Sequence, residues 1–90
     1  MGYVQQAGTP INLTSSNIVS KEPGALIGYH VNSTSAGTIV LRNGTLAGSP
    51  AISGTITPSV GFNAFPGAFP NGCFATIGGT LDVTFFFAAG

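Results

Sequence analysis

The sequence predicts an all-β fold, a small antiparallel β-sandwich or a jelly-roll-like barrel. Three observations carry this. First, 14 Gly and 6 Pro in 90 residues interrupt nearly every window long enough for a helix. Second, Ile, Val and Thr dominate between the interruptions, and β-branched side chains fit a pleated surface. Third, short apolar runs bounded by turn residues recur at strand-and-turn spacing. Disorder is not a good alternative. The chain is 43% hydrophobic and 10% aromatic, whereas disordered chains are poor in both classes.

The elements follow in order. Residues 1–10 lack a strand pattern and form an extended arm, and residues 11–90 form a single β domain. Residues 11–20 hold a first strand or strand pair. Lys21-Glu22-Pro23-Gly24 is a turn. Residues 25–33 form a long strand, 33–37 a polar turn, and 38–42 the next strand. Asn43-Gly44 favours a type I′ hairpin turn, because both residues tolerate positive φ, and residues 45–47 then pair back. Residues 51–57 form a strand ended by Pro58, and 61–65 a short one. Phe65-Pro66-Gly67-Ala68-Phe69-Pro70-Asn71-Gly72 is an aromatic, proline-rich loop. Residues 73–77 form a strand, Gly78-Gly79 a turn, and 80–87 the last strand. A Gly-Thr-aliphatic triplet recurs at 37, 44, 54 and 79, with spacings too irregular for a solenoid. In the last strand Leu81, Val83, Phe85 and Phe87 share the core face, and Asp82, Thr84 and Phe86 the other.

Ninety residues make one thin core, burying about 60–65% of the unfolded surface. Small domains compensate with disulfides, metals or partners. Cys73 is the only cysteine, so no disulfide forms within the chain, and His30 and Cys73 are the only good zinc ligands. Self-association is the device left, beside a single core stable by itself, since some small domains fold alone.

Charge narrows the function. Lys21, Glu22, Arg42 and Asp82 are the only charged side chains, 4% of the chain, with no net charge. Average usage is about 25%. No basic patch supports nucleic-acid binding, and no amphipathic basic segment supports a membrane surface. The longest apolar run, Phe85-Phe86-Phe87-Ala88-Ala89, falls far short of the ~20 residues of a membrane helix. The N-terminus has neither a basic flank nor an apolar run, so synthesis in a cytoplasm is expected.

Chemistry-bearing residues are few. A Cys73–His30 pair is arithmetically available, but a buried small hydrophobe and a satisfied strand histidine explain both residues better. Glu22 beside Lys21 and Asp82 on a strand form no glycosidase pair. No catalytic, cofactor or metal residue is assigned. Sequons at Asn12, Asn32 and Asn43 are what a chain rich in Asn, Ser and Thr produces by chance. The aromatic segment 62–69, near Asn63 and Asn71, could stack a sugar. A packing plug or a subunit contact is favoured, because interface cores are rich in aromatics and poor in charge. The residues assigned to contacts are Tyr3 and Val4 in the arm, Phe65, Pro66, Phe69 and Pro70 in the loop, and Phe86.

The stretch Gly28-Tyr29-His30-Val31-Asn32-Ser33-Thr34-Ser35-Ala36-Gly37-Thr38-Ile39-Val40-Leu41 resembles small structural proteins of tailed bacteriophages. So do Gly54-Thr55-Ile56-Thr57-Pro58 and Ala75-Thr76-Ile77-Gly78-Gly79-Thr80-Leu81-Asp82-Val83-Thr84-Phe85. Over residues 24–88 the chain is similar to capsid decoration, or cement, proteins. The resemblance implies a β-sandwich or barrel, often a homotrimer, on the outer surface of the virion head. It implies a major capsid protein as partner and no catalytic residues. A carbohydrate-binding module of a tail or fibre is the alternative, and a small enzyme using Cys73 is the third expectation.

Overall fold

The computed structural model describes residues 9–89, and over them the chain is all-β. Five strands form one antiparallel sheet: β1 (Thr9–Leu13), β2 (Asn17–Ser20), β3 (Gly24–Asn43), β4 (Gly61–Phe69) and β5 (Cys73–Ala89). The order across the sheet is β1-β5-β3-β4, with β2 also on β5.

β3 and β5 form the spine. They pair from Gly24↔Ala89 to Asn43↔Cys73, straight through two places where the sequence predicts turns. Residues 33–37 and Gly78-Gly79 do not reverse the chain. Ser35 pairs with Thr80 and Thr38 with Gly78, and between them the two strands bend together. Ala36 has φ 55° and Gly79 φ 67°, and a Cβ on Gly79 would strike the Ala36 carbonyl. The turn residues therefore supply a bend in a continuous ladder.

β3 uses 20 residues against 17 in β5. Three irregularities absorb the difference, between Leu26 and Gly28, Val31 and Ser33, and Ser35 and Thr38. Each adds a residue to β3, bends the strand and reverses which parity faces inward. Leu26, Tyr29, Val31, Ile39 and Leu41 thus all reach the core. β5 has Cys73, Phe74 and Ala75 all buried at its start, and from Leu81 keeps a regular alternation with Leu81, Val83, Phe85 and Phe87 buried. A straight 20-residue strand would span roughly 65 Å, yet the greatest extent of the molecule is 42 Å.

The sheet therefore curls. Val31, Ile39, Leu41, Ala75, Val83 and Phe85 are fully buried although no helix covers them among the described residues. The two halves of one curved face close on each other, as in a small β-sandwich. Tyr29 meets Phe85 at 5.9 Å between ring centroids, and Phe69 meets Phe87 edge-on at 6.1 Å. Each large side chain so buried stabilises the fold by about 1.5–3 kcal/mol.

The outer edges are built in pieces. β1 lies against residues 83–87 of β5, and β2 against 73–75. Between them Ser16 Oγ accepts from Ile77 N at 2.8 Å and lies 3.3 Å from Ile77 O as donor, replacing a backbone ladder rung. The first segment is thus a strand pair, and Thr9 and Pro10, expected in the arm, open β1. β4 flanks residues 24–31 of β3.

Three expectations are corrected here. Asn43 does not adopt positive φ, so Asn43-Gly44 is not a type I′ turn, and residues 45–47 do not pair back. Residues 51–57 form no regular strand. They return along β3 through Asn43 N→Pro50 O at 2.9 Å, Ile52 N→Leu41 O at 2.9 Å and the reciprocal Ile39–Ile56 bonds at 2.9 and 2.8 Å. The Ser53 hydroxyl takes the intervening Leu41 N–H at 2.9 Å, which breaks the ladder. Finally, the aromatic loop is strand β4 as far as Phe69, and only residues 70–72 turn. Pro66 is tolerated because it lies on an edge strand, at the irregularity between the Gly67 and Ala64 pairings.

Candidate functional site

The outer face of the sheet follows from the register. One row across it is Asn12–Thr84–His30–Phe62, and the next is Pro10–Phe86–Gly28–Ala64. A third joins Ala88, Ala25 and Ala68.

The second row is apolar for a steric reason. Gly28 has no side chain, so the Phe62 ring lies over it. A Cβ there would come within 2.7 Å of Phe62 Cζ and 2.6 Å of Asn63 O. Phe62 thereby reaches Phe86, at 6.0 Å between centroids with the rings tilted by 54°. Gly28 is buried by this arrangement, yet Phe62 remains 56% exposed. The result is an apolar two-ring patch flanked by Pro10 and Ala64 on a sheet face with few charges. Among the described residues Leu46, Ile52 and Val60 are the other large apolar side chains in solvent.

A polar cluster borders the patch. Asn12 Nδ2 donates to Asp82 Oδ1 at 2.8 Å, and also lies 3.2 Å from Val83 O and from Thr84 Oγ1. Asn32 Nδ2 donates to Asp82 Oδ1 at 3.3 Å. These donors hold the solvent-facing Asp82 carboxyl below the usual carboxylate range. They also tie β1, β3 and β5 together across the outer face.

The assigned contact residues separate. Phe86 lies in the patch, and Pro66 and Pro70 are exposed. Phe65 is half-buried against the core. Phe69 is fully buried, so its assignment to a surface is corrected: the strand turns it inward onto Phe87. Tyr3 and Val4 lie outside the described residues. Phe62, exposed beside Phe86, is not among the residues assigned from the sequence. A signal for it exists in the spacing, since Phe62 and Phe65 are three apart and so point to opposite faces of one strand.

Cys73 and His30 are not brought together. Cys73 faces the core opposite Asn43, while His30 lies opposite Thr84 on the outer face. Burial pushes the Cys73 thiol up to about 12, which leaves it almost wholly protonated at neutral pH. Among the described residues no three His, Cys, Asp or Glu side chains gather as metal ligands, and no pocket opens. No protein-family model, curated protein or solved structure matches the chain.

Proposed function

We propose that this protein is a capsid decoration protein of a tailed phage. It binds the outer surface of the head between major capsid subunits, after synthesis in the host cytoplasm, and associates with itself, as a homotrimer. The observation that carries this reading is the Phe62–Phe86 patch on a nearly uncharged sheet. Free-standing proteins normally surround themselves with mixed charge. Docking aromatics held over a glycine loses little side-chain entropy, because the rings are already fixed. Many copies, each burying modest apolar area, would together stiffen a shell.

Contact through the face is favoured over strand addition. Pro10 and Pro66 both lie on edge strands, where a missing N–H discourages a further strand from pairing.

The test uses purified protein and heads, lacking it, of the virus that encodes it. Saturable, symmetry-related density on the head and a sedimenting oligomer are expected, both weakened by Phe62→Ser and Phe86→Ser. A soluble monomer that leaves the heads bare would end the proposal. Binding to a glycan instead would move the protein to the tail or fibre as a carbohydrate-binding module.

A further inference from the structure

The sequence contains two Asn-Gly dipeptides, Asn43-Gly44 and Asn71-Gly72, and the fold interlocks them. Asn71 N donates to Asn43 Oδ1 at 3.0 Å, and Gly44 N donates to Gly72 O at 3.1 Å. We propose that Asn71 is a self-modification site, where the backbone expels the side-chain amide, and that the same contacts close Asn43 to this reaction.

The chemistry needs only water. The Gly72 backbone nitrogen, giving up its proton, attacks Asn71 Cγ. The bond from Cγ to the carboxamide nitrogen breaks, that nitrogen takes the proton, and ammonia leaves a five-membered succinimide. Water then adds to one of the two ring carbonyls and opens the ring, giving an ordinary aspartate at this position or its β-linked isomer. One water enters, one ammonia leaves, and nothing is oxidised or reduced. A following glycine favours the attack because no Cβ shields the nitrogen.

The two sites differ in what must break first. At Asn43 the carboxamide oxygen is held by Asn71 N, the attacking Gly44 N–H is committed to Gly72 O, and Asn43 N is bonded to Pro50 O at 2.9 Å. Gly44 and Gly72 are both buried, so the hydrogen bonds, not burial, separate the two sites. At Asn71 the side chain is exposed and its carboxamide makes no hydrogen bond among the described residues. Its attacking group, Gly72 N–H, makes only the long turn bond to Phe69 O at 3.3 Å. Breaking that one bond frees the nucleophile.

The product matters in a chain with no net charge, since it adds a carboxylate. The β-linked form also lengthens the backbone beside Gly72, which is buried close to the carbonyls of Ser20 and Lys21. This inference is independent of the capsid proposal.

The experiment incubates the intact protein in mildly alkaline buffer for days, native and in concentrated urea, and maps the conversion of amide to acid by peptide mass spectrometry. In the native state Asn71 should convert at least roughly tenfold faster than Asn43, because two further hydrogen bonds hold the Asn43 site closed. In urea the two rates should converge, and Asn71→Gln should remove the fast native phase. Equal native rates, faster conversion at Asn43, no native conversion at Asn71, or a difference that persists in urea would each overturn the proposal.

Discussion

At Gly79 two steric demands coincide: a φ of 67° and an Ala36 carbonyl occupying the place of a side chain. Gly79→Ala should therefore cost about 1–3 kcal/mol. Gly54→Ala, whose Cβ meets nothing, should stay within about 0.5 kcal/mol of the parent. Urea titration of both variants decides this, and equal losses would mean the bend does not need its glycine. Asp82 sets a dependence on pH. Its folded carboxyl titrates below its unfolded counterpart because Asn12 and Asn32 donate to it. The stability this brings is complete above the unfolded carboxylate range near pH 4, and is lost as pH falls through the lower folded value. Asn12→Ala should flatten the fall in melting temperature on acidification below about pH 4. An unchanged acid slope would exclude the Asn12 contact as its source. The burial of Cys73 was legible in the sequence because a lone cysteine in a β run is usually a small hydrophobe. The Asn12–Asp82 pairing was not, since 70 positions separate the two residues and only the register of β1 on β5 joins them.

Among the elements, β5 was the most legible. It contains no extra residue, so Leu81, Val83, Phe85 and Phe87 read as one face and are one face. β3 was the least, because its three added residues reverse the alternation three times and its bend imitates a turn. In β4 the two prolines, Pro66 and Pro70, imitate a loop. Plain strand alternation turns Phe62 outward and Phe65 and Phe69 inward. The consequence is testable by comparing two phenylalanines. Phe69→Ser empties a fully buried site and should cost about 3–5 kcal/mol. Phe62→Ser removes a ring that is 56% exposed and should cost about 1 kcal/mol or less. Denaturation measured alongside occupancy on heads separates the roles: Phe62→Ser should lower occupancy in a domain that still melts near the parent temperature. A large loss of stability in Phe62→Ser would place that ring among the structural residues.

For the whole molecule, the scarcity of charge was visible at once, and it bears on how any partner is held. Four charged side chains cannot provide a strong field. Occupancy on heads should change little between about 0.1 and 1 M salt, although the Debye length falls from about 10 to 3 Å. Release on adding salt would show instead that a charged capsid surface does the holding. What no count of residues could disclose is the curl of the sheet. It depends on where the extra residues of β3 fall relative to β5, and that is a property of the pairing between strands distant in sequence.

The same pairing decides how the molecule meets a mechanical load. Thr9 is opposite Phe87 and Gly24 opposite Ala89, so residues 9 and 89 lie together at one end of antiparallel strands. Tension between those two points unzips β1 from β5, one rung after another. Tension between Gly48, beyond the far end of β3, and Ala89 would load the long β3–β5 ladder in shear, so many hydrogen bonds must yield together. Single-molecule pulling should therefore find a clearly lower rupture force for handles at Thr9 and Ala89 than for handles at Gly48 and Ala89. The reverse order would mean that the ladder is not what resists. Strength in this protein is directional: it depends on where the molecule is gripped.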